Sequence, residues 1–329
     1  MANAVLVTGG AGYVGSHACK ALAHAGYTPV TFDNLSLGNV DSVKWGPLIQ
    51  GDTRNSASVT SALLEYDCIA VIHFAALSSI GESVSDPALY YDINVGGLIG
   101  VINGMRGANC DALIFSSTAA VYGEPRTNPI VETEPPNPIN PYGQTKLIGE
   151  RMLADHAAAY GLRSAALRYF NAAGADPDAE IGEFRRVETH LIPRALMALQ
   201  GWITDFQVFG ADFPTPDGTA VRDYVHVADL ADAHVSALKY VLGRPGHDVF
   251  NIGTGQGSSV AQVLSAISRA TGVTMTAPGG SRRIGDPAVL VADGSRARHA
   301  LGFEPSRSDL DTIVRTAWAW HQKVHPMRV

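Results

Sequence analysis

The sequence predicts an α/β protein with a doubly wound parallel sheet and a smaller α/β lobe at its C-terminal end. A β-branched apolar run at 4–8 is followed at once by a glycine-rich turn and then by a helical stretch. The next apolar run ends in the acid Asp33, and further strand-like runs alternate with helical stretches such as 57–66 and 88–106. This alternation is typical of a parallel sheet with helices on both faces.

Bulk properties exclude several classes of protein. The chain has 329 residues, enough for a large core and for two lobes. Its net charge of −7 argues against a general affinity for nucleic acid or anionic membranes. The three cysteines, Cys19, Cys68 and Cys110, form neither a metal nor a redox motif, so we predict buried free thiols. Because no apolar run approaches ~18 residues and no signal peptide is recognisable, we expect a cytoplasmic protein.

The glycine-rich turn, GGAGYVG at 9–15, lies between the first strand and a helix predicted from Ser16 to Ala25. In this context glycines let the backbone turn tightly and approach a pyrophosphate, which sits at the helix N-terminus. The sequence therefore predicts a Rossmann-type dinucleotide site. The residues of the turn that we expect to bind the cofactor are Gly9, Gly12, Tyr13, Val14 and Gly15.

Asp33 indicates which dinucleotide is bound. It ends the second strand, about 20 residues after the glycine turn, where a carboxylate accepts hydrogen bonds from the ribose hydroxyls of NAD. The same charge repels the additional phosphate of NADP, and no arginine adjoins it. We therefore predict NAD as the cofactor.

Other predicted strands end in small or polar residues. Ligands of doubly wound sheets bind at the carboxyl ends of the strands, so these residues are expected to line the cofactor. They are Asp52 and Thr53 near the adenine, Phe74, Ala75 and Ala76 near the pyrophosphate or ribose, and Ser116 and Thr118 after the run at 112–115.

Tyr142 and Lys146 form the predicted catalytic pair. Their spacing of i and i+4 places both on one face of a helix, a turn apart, where the ammonium group can stabilise a tyrosinate. Free tyrosine titrates near pH ~10, so acting as a base near neutrality requires a pKa lower by roughly 3 units, or ~4 kcal/mol. One cation in a partly solvated site supplies only part of this, so we expect a second positive charge nearby.

Taken together, these motifs resemble the extended short-chain dehydrogenase/reductase family, through TGGAGYVG at 8–15, DNL at 33–35, HFAA at 73–76 and the Tyr142/Lys146 pair. Longer segments narrow the resemblance to the UDP-glucose (UDP-galactose) 4-epimerase family. These are GESV at 81–84, YDINV at 91–95, RYFNAAGA at 168–175 and VRDYVHV at 221–227. The motifs are collinear and extend over essentially the whole chain.

The resemblance implies an enzyme that reversibly converts UDP-glucose to UDP-galactose through a transient 4-keto sugar, with NAD bound throughout. It implies that Tyr142, as a phenolate, removes the proton of the 4-hydroxyl while hydride passes to the nicotinamide and later returns to the other face. Lys146 would lower the pKa of Tyr142 and bind the nicotinamide ribose, and the positive nicotinamide would be the second cation. Thr118, where most relatives carry serine, would hydrogen-bond the 4-hydroxyl.

The resemblance also implies further binding residues. The additional residues that are expected to bind the cofactor are Asn34, Asn94 and Phe170. Ser116, Tyr142 and Lys146 are expected to bind it as well. The substrate residues are Thr118, Tyr142, Asn171, Leu191, Gln207, Phe209, Arg222, Arg283 and Asp286. Among these, the two arginines are expected at the diphosphate because a guanidinium matches phosphate oxygens, and Asp286 at the ribose hydroxyls. No metal site is expected.

For the whole molecule, the resemblance implies an NAD-binding domain at 1–170 and a nucleotide-sugar-binding domain at 171–329, partly interleaved with the first. It also implies a homodimer formed through helices near 88–106 and 142–160. No nucleic-acid or membrane partner is expected.

Two positions depart from or qualify the family pattern. Ser78 stands where the motif often continues with lysine, so we expect NAD to be held less tightly. Leu290 aligns with a position that limits the substituent at C2, and a bulky residue there favours plain hexoses over N-acetylated ones.

Several alternatives remain open. Other 4-epimerases act on UDP-xylose and UDP-arabinose or on UDP-GlcNAc and UDP-GalNAc. A 4,6-dehydratase needs an acidic pair just after Thr118, where this chain has Ala119-Ala120. An NADPH-dependent 4-keto-sugar reductase is disfavoured by Asp33, and a non-catalytic NAD-binding sensor by the Tyr142/Lys146 pair.

Overall fold

The computed structural model describes residues 3–185, 187–282, 287–325 and 327. The strands are β1 (Ala4–Thr8), β2 (Thr28–Asp33), β3 (Leu48–Gln50), β4 (Cys68–His73), β5 (Ala112–Thr118), β6 (Arg163–Tyr169), β7 (Asn171–Ala173), β8 (Val208–Phe209), β9 (Val221–Arg222), β10 (Tyr224–His226), β11 (His247–Ile252), β12 (Ser258–Ser259), β13 (Gly279–Gly280) and β14 (Val289–Leu290).

Between them lie the helices α1 (Tyr13–His24), α2 (Ser56–Glu65), α3 (Ile80–Ser85), α4 (Pro87–Tyr90), α5 (Gly97–Gly107), α6 (Pro141–Tyr160), α7 (Leu191–Leu199), α8 (Val227–Leu242), α9 (Val260–Thr271), α10 (Ser295–Leu301) and α11 (Leu310–Val324). A π-helical segment, Tyr91–Gly96, and the 3₁₀ turns Val40–Ser42 and Ala119–Tyr122 complete the regular structure described.

The central sheet has seven parallel strands in the order β11-β6-β5-β4-β1-β2-β3. The chain runs outward from β1 to β3 and then returns to β4 on the other side of β1. This reversal is the switch point at which doubly wound sheets bind their ligands. The predicted fold class is confirmed. Because β11 joins the edge beyond β6, part of the second half of the chain belongs to the first sheet, and the domain boundary near residue 170 stays a prediction.

The sheet is buried on both faces, as β1 illustrates. Val5 and Val7 belong to the core between the sheet and α1 and α8, whereas Ala4 and Leu6 point to the core under α2 and α5. Successive side chains of a strand alternate between faces, so a strand with helices on both sides is apolar at nearly every position. Each large apolar side chain buried in this way stabilises the fold by roughly 1.5–3 kcal/mol.

The second lobe has its own core. Helices α7, α9 and α11 pack together through Ile192, Leu196, Ile267, Ile313 and Val314. Short strands join this lobe to the sheet region, with β10 beside β7, β9 between β12 and β14, and β8 beside β13. This arrangement places the lobe at the end of β6, next to the carboxyl edge of the central sheet.

Three elements differ from the sequence-based expectation. Helix α1 begins at Tyr13 rather than at Ser16, because Gly12 already takes the extended N-cap conformation. The helix predicted over 88–106 is divided by the π-helical segment. Strand β5 is longer than the predicted run at 112–115 and continues to Thr118, so Ser116 and Thr118 lie at the carboxyl end of a strand, as expected.

The cysteine prediction is confirmed, since Cys19, Cys68 and Cys110 are all buried and unbridged. Among the described residues, every helix is too short or too polar to span a lipid bilayer.

Candidate functional site

The loop after β1 requires glycine at two positions. Gly9 has a φ of +72°, and a Cβ there would lie 2.6 Å from the backbone nitrogen of Ala75. A Cβ on Gly15 would lie 2.2 Å from the backbone oxygen of Gly9. Gly12 provides no side chain to cap α1, so backbone N–H groups at the helix N-terminus are available to an anion. These features fit the pyrophosphate of a dinucleotide.

Two further residues of the loop have contacts of their own. The Tyr13 hydroxyl donates a 2.6 Å hydrogen bond to the backbone oxygen of Gly174, which connects the loop to the segment after β7. Burial raises the pKa of the Tyr13 phenol well above its ordinary value, so it stays protonated. Val14 packs against the core of the sheet.

Asp33 lies at the carboxyl end of β2 and is buried. Its carboxylate accepts hydrogen bonds from the backbone N–H of Ala11 at 3.1 Å and of Leu35 at 2.8 Å. Burial raises the pKa of the carboxyl group, and these two hydrogen bonds act in the opposite direction. The neighbouring Asn34 accepts a hydrogen bond from the backbone of Ser36. The acid is thus held directly beside the glycine loop, where the sequence predicts the ribose.

The end of β4 lies against β1. Phe74 and Ala75 donate backbone hydrogen bonds to the Thr8 oxygen at 2.9 and 3.1 Å, and the Phe74 ring lies 4.6 Å from that of His234. The predicted segment 74–76 therefore lies at the switch point, beside the glycine loop.

Asp52 and Thr53 follow β3, which is the edge strand of the sheet beyond β2. The Asp52 carboxylate forms a 2.6 Å ion pair with Arg54, which lowers the pKa of its carboxyl group. Thr53 packs against the first turn of α5, where a Cβ on Gly97 would lie 2.7 Å from its hydroxyl. Their proposed contact with adenine stays a prediction.

Asn94, predicted as a cofactor residue, bridges two elements of the protein. Its amide oxygen accepts from the backbone N–H of Leu77 at 2.8 Å, and its amide nitrogen donates to the Leu77 oxygen and the Thr145 hydroxyl, each at 3.0 Å. These bonds link the segment after β4 to α6. They give Asn94 a role in holding α6, and its contact with the cofactor stays a prediction.

Thr118 and Tyr142 meet where β5 ends and α6 begins. The helix is capped by Asn140, whose side chain accepts from the backbone N–H of Gly143 at 2.9 Å. The Thr118 hydroxyl hydrogen-bonds to the Tyr142 phenol and also accepts from the backbone N–H of Ala120 at 3.1 Å. Burial raises the pKa of Tyr142, and the hydrogen bond from Thr118 lowers it.

Lys146 is almost fully buried, with 3% of its surface exposed. Its Nζ donates to the backbone oxygen of Ser116 at 2.8 Å and lies 5.0 Å from the centre of the Phe115 ring. Burial lowers the pKa of the ammonium group to about 7, and the negative charge of Glu150 opposes this shift. The Ser116 hydroxyl is hydrogen-bonded to Tyr169 at 2.5 Å. The predicted residues at this strand end are therefore brought together.

The sequence analysis missed Arg185, in the loop before α7. Its positive charge also lowers the pKa of Tyr142. Its Nε forms a 2.8 Å ion pair with Glu183, and the same carboxylate lies 3.0 Å from Nδ1 of His190. With Glu188 at 3.1 Å from the same nitrogen, these charges raise the pKa of His190 and favour its imidazolium form. In the sequence, only the polar character of this loop could have indicated a role for Arg185.

The predicted substrate residues of the second lobe that the structure describes form two groups, one that lines a cavity and one on the short strands. Asn171 and Leu191 line a cavity of about 50 Å³ together with Gly174, His190 and Trp320. Leu191 is the first residue of α7, a helix with no side-chain cap.

The other predicted substrate residues lie on the short strands. Gln207 immediately precedes β8, which contains Phe209, and Arg222 lies on β9, paired in register with Leu290. Leu290 and Phe170 pack on the apolar cluster that contains Ala119. Arg283 and Asp286 lie outside the described residues.

Comparison with known proteins identifies similar chains. A model of the family described as "NAD dependent epimerase/dehydratase family" matches residues 5–253. A UDP-glucose 4-epimerase of Rhizobium leguminosarum bv. trifolii is 48% identical over 319 residues, 97% of each chain. The structure of a UDP-glucose 4-epimerase from Brucella ovis in complex with NAD is 51% identical, with a TM-score of 0.93 over 97% of this chain and 98% of that one. For the Bifidobacterium longum enzyme in complex with NAD+ and UDP, the identity is 36% and the TM-score 0.92 at the same coverage.

Proposed function

Since the chain belongs to the NAD dependent epimerase/dehydratase family, we propose that it interconverts UDP-glucose and UDP-galactose by 4-epimerisation with NAD as its cofactor. The observation that carries this proposal is the meeting of Thr118, Tyr142 and Lys146 at the carboxyl edge of β5. This edge lies two strands, or roughly 10 Å, from the glycine loop after β1. Full-length similarity to proteins named UDP-glucose 4-epimerase supports the same activity.

The residues present fit NAD. The glycine loop is a cradle that a Cβ would fill, and Asp33 stands beside it with its carboxylate held by backbone N–H groups. Bound NAD would supply a nicotinamide ring that accepts the hydride of C4 and returns it. The chain's own residues then have to bind the sugar, move its proton and let the keto sugar turn.

In this proposal Tyr142 removes the proton of the sugar 4-hydroxyl and gives it back after the sugar has turned. Burial raises the pKa of the phenol, so the base form needs stabilisation by nearby positive charge. Lys146 on the same helix and the oxidised nicotinamide are the proposed sources, and Arg185 adds to them. Thr118 donates a hydrogen bond that favours the phenolate and can relay the proton.

The nucleotide of the substrate is proposed to bind in the second lobe and to stay there while the sugar turns. Asn171 and Leu191 line one cavity, and the uncapped N-terminus of α7 offers N–H groups to a diphosphate. Gln207, Phe209 and Arg222, with Arg283 and Asp286, complete the proposed set.

Arg222 provides the test of this placement. Arg222→Ala is expected to weaken the binding of UDP-galactose at least tenfold and to leave NAD affinity within about twofold of the wild type. Calorimetric titration of each ligand separates the two effects. The opposite pattern would show that the two ligand sites are assigned the wrong way round.

We propose that the enzyme prefers UDP-hexoses with a hydroxyl group at C2 to UDP-sugars with an N-acetyl group at C2. Leu290 lies beside Phe170 and the cluster containing Ala119, next to the catalytic Thr118, so its bulk restricts this side of the pocket. UDP-pentoses and UDP-N-acetylhexosamines are the alternatives to test.

Ser78 is exposed and uncharged, which is compatible with the expected weaker retention of NAD.

We further propose that the protein is a homodimer in the cytoplasm. The π-helical segment and α5 expose apolar side chains, among them Tyr91 and Ile99, whereas Leu147 of α6 is part of the protein's own core. Unbridged thiols agree with a reducing compartment. Light scattering should give twice the mass of the chain, and Ile99→Asp should lower it. A wild-type monomer at micromolar concentration would contradict the dimer.

The activity is tested by product analysis. Purified protein is incubated with UDP-galactose without added reductant, and the sugars are resolved by NMR. Conversion to an equilibrium mixture with UDP-glucose, with no net NADH, is expected. Conversion of only UDP-pentoses or UDP-N-acetylhexosamines would make the protein another 4-epimerase. A 4-keto-6-deoxy product would make it a dehydratase, and NAD binding without turnover of any nucleotide sugar would favour a sensor.

A further inference from the structure

A buried ion pair lies behind the catalytic residues. Glu150 follows Lys146 by one helical turn on α6, and Arg168 lies on β6. The Arg168 guanidinium donates two hydrogen bonds to the Glu150 carboxylate, from Nε to Oε1 at 2.9 Å and from Nη2 to Oε2 at 2.5 Å. Only 5% of the Glu150 side chain and 6% of the Arg168 side chain are exposed. This is a fully desolvated, bidentate pair between the catalytic helix and the sheet.

The pair also holds the strand that carries the catalytic hydroxyl. Ser117 donates its hydroxyl to Oε1 of Glu150 at 2.5 Å and is paired in register with Arg168. Its neighbours on β5 are Ser116, which accepts the bond from Lys146, and Thr118, which bonds to Tyr142. Because side chains alternate along a strand, Ser117 faces α6 while the side chains of its two neighbours face the other side.

From Arg168 the network continues to the edge of the sheet. Its Nη1 donates to the Tyr122 hydroxyl at 2.9 Å, and this hydroxyl donates to Asn251 on β11 at 2.6 Å. Tyr122 ends the 3₁₀ turn that begins directly after Thr118. The residues on both sides of Thr118 are thus tied to the same guanidinium–carboxylate pair.

We propose that Glu150 and Arg168 are positioning residues for the 4-epimerase reaction, because they hold α6 against β5 so that Tyr142, Lys146 and Thr118 keep their mutual geometry. The inference rests on the proposed function. A buried ion pair adds little net stability compared with an apolar pair of the same volume. Its value here is therefore in the placement of groups, for which an error of about 1 Å can cost about 10²-fold in rate.

The pair also sets the charge around Lys146. The titratable groups that interact electrostatically with this ammonium are Glu150 on α6 and His73 on β4. Burial and the charge of Lys146 keep His73 neutral by lowering its pKa to about 3. Glu150 is the carboxylate that favours the protonated lysine. Its removal should therefore shift the loss of the Lys146 proton to lower pH, an effect that a purely structural pair would not produce.

The test compares two variants with a matched control. Glu150→Gln keeps the shape and removes the charge. Glu150→Met/Arg168→Met removes both charges and should fold even if the single variant does not. The control is Arg163→Met, which breaks the ion pair with Asp111 at the opposite end of the same strand β6. The midpoint of urea unfolding, the Kd of NAD, and kcat and KM for UDP-galactose are measured from pH 6 to 10.

For each Glu150 variant that folds, we expect kcat to fall about 10²-fold with KM and the NAD Kd changed less than about threefold. The fall of kcat at alkaline pH should begin at lower pH than in the wild type. Arg163→Met should match the wild type in both respects. Wild-type kcat and pH profile in the double variant, or equal losses in the control, would overturn the proposal. A wild-type enzyme without turnover would instead refute the proposed function.

Discussion

Lys146 donates a 2.8 Å hydrogen bond from Nζ to the backbone oxygen of Ser116, two residues before Thr118. The bond joins α6 to β5 through a backbone atom that no substitution of Ser116 removes. It also takes the ammonium group out of water, and burial lowers the pKa of Lys146 to about 7. The residue that is proposed to support Tyr142 as the base is therefore itself close to losing its proton at neutral pH.

The stability of the NAD-free protein should depend on pH through Lys146. The folded-state pKa of about 7 lies below the ordinary 10.5, so between these pH values the unfolded chain binds more protons. Stability then rises with pH in this window, by up to about 1.4 kcal/mol per pH unit. Urea unfolding of the wild type and of Lys146→Met at several pH values measures the difference, which should grow from pH 7 to 10. A constant difference would contradict the lowered pKa.

Tyr142→Phe should abolish most of the activity and leave NAD binding unchanged. Loss of a general base costs about 10²–10⁴-fold in rate, whereas the ring and its packing remain. Stopped assays with UDP-galactose give kcat, and titration with NAD gives the Kd. Tyr160→Phe is the control, because this tyrosine is exposed at the opposite end of the same helix. Activity of Tyr142→Phe within tenfold of the control would refute the assignment of the base.

Replacement of Thr118 should separate its hydroxyl from its methyl group. Thr118→Ser keeps the hydrogen bond to Tyr142, so kcat should stay within about threefold of the wild type. Thr118→Val keeps the shape, loses the bond and leaves the Tyr142 pKa higher, so kcat should fall about 10–10²-fold. The pH profile of the valine variant should shift to higher pH. Equal activities of the two variants would mean that the hydroxyl has no part in the reaction.

Asp33→Asn should reduce the preference for NAD over NADP. The amide keeps the size of the side chain but removes the negative charge, which is expected to accept hydrogen bonds from the ribose hydroxyls and to repel the additional phosphate of NADP. Since hydrogen bonds to charged groups contribute about 1.5–3 kcal/mol, the Kd of NAD should rise about 10–10²-fold. Fluorescence titration with both cofactors measures the ratio. Asp41→Asn, an exposed acid in the following turn, should leave the ratio unchanged.

Local patterns predicted the parts of the site that a single strand, turn or helix contains. The glycine loop could be recognised because strand, turn and helix follow one another in the sequence, and Asp33 because it ends the next strand. The Tyr142/Lys146 pair could be recognised because its two members are four residues apart on one helix. The fold class follows from the alternation of apolar runs and helical stretches, which the seven parallel strands confirm.

Tertiary structure decided which distant residues act on this pair. Ser117 meets Arg168 because β5 and β6 pair in one register, and Glu150 reaches both because α6 packs over these strands. Arg185 affects Tyr142 from a polar loop without any recognisable pattern. Spacing along the chain specifies which side chains share a turn of helix or an end of strand, whereas the charges that tune a pKa act through space, and their positions exist only once the chain has folded.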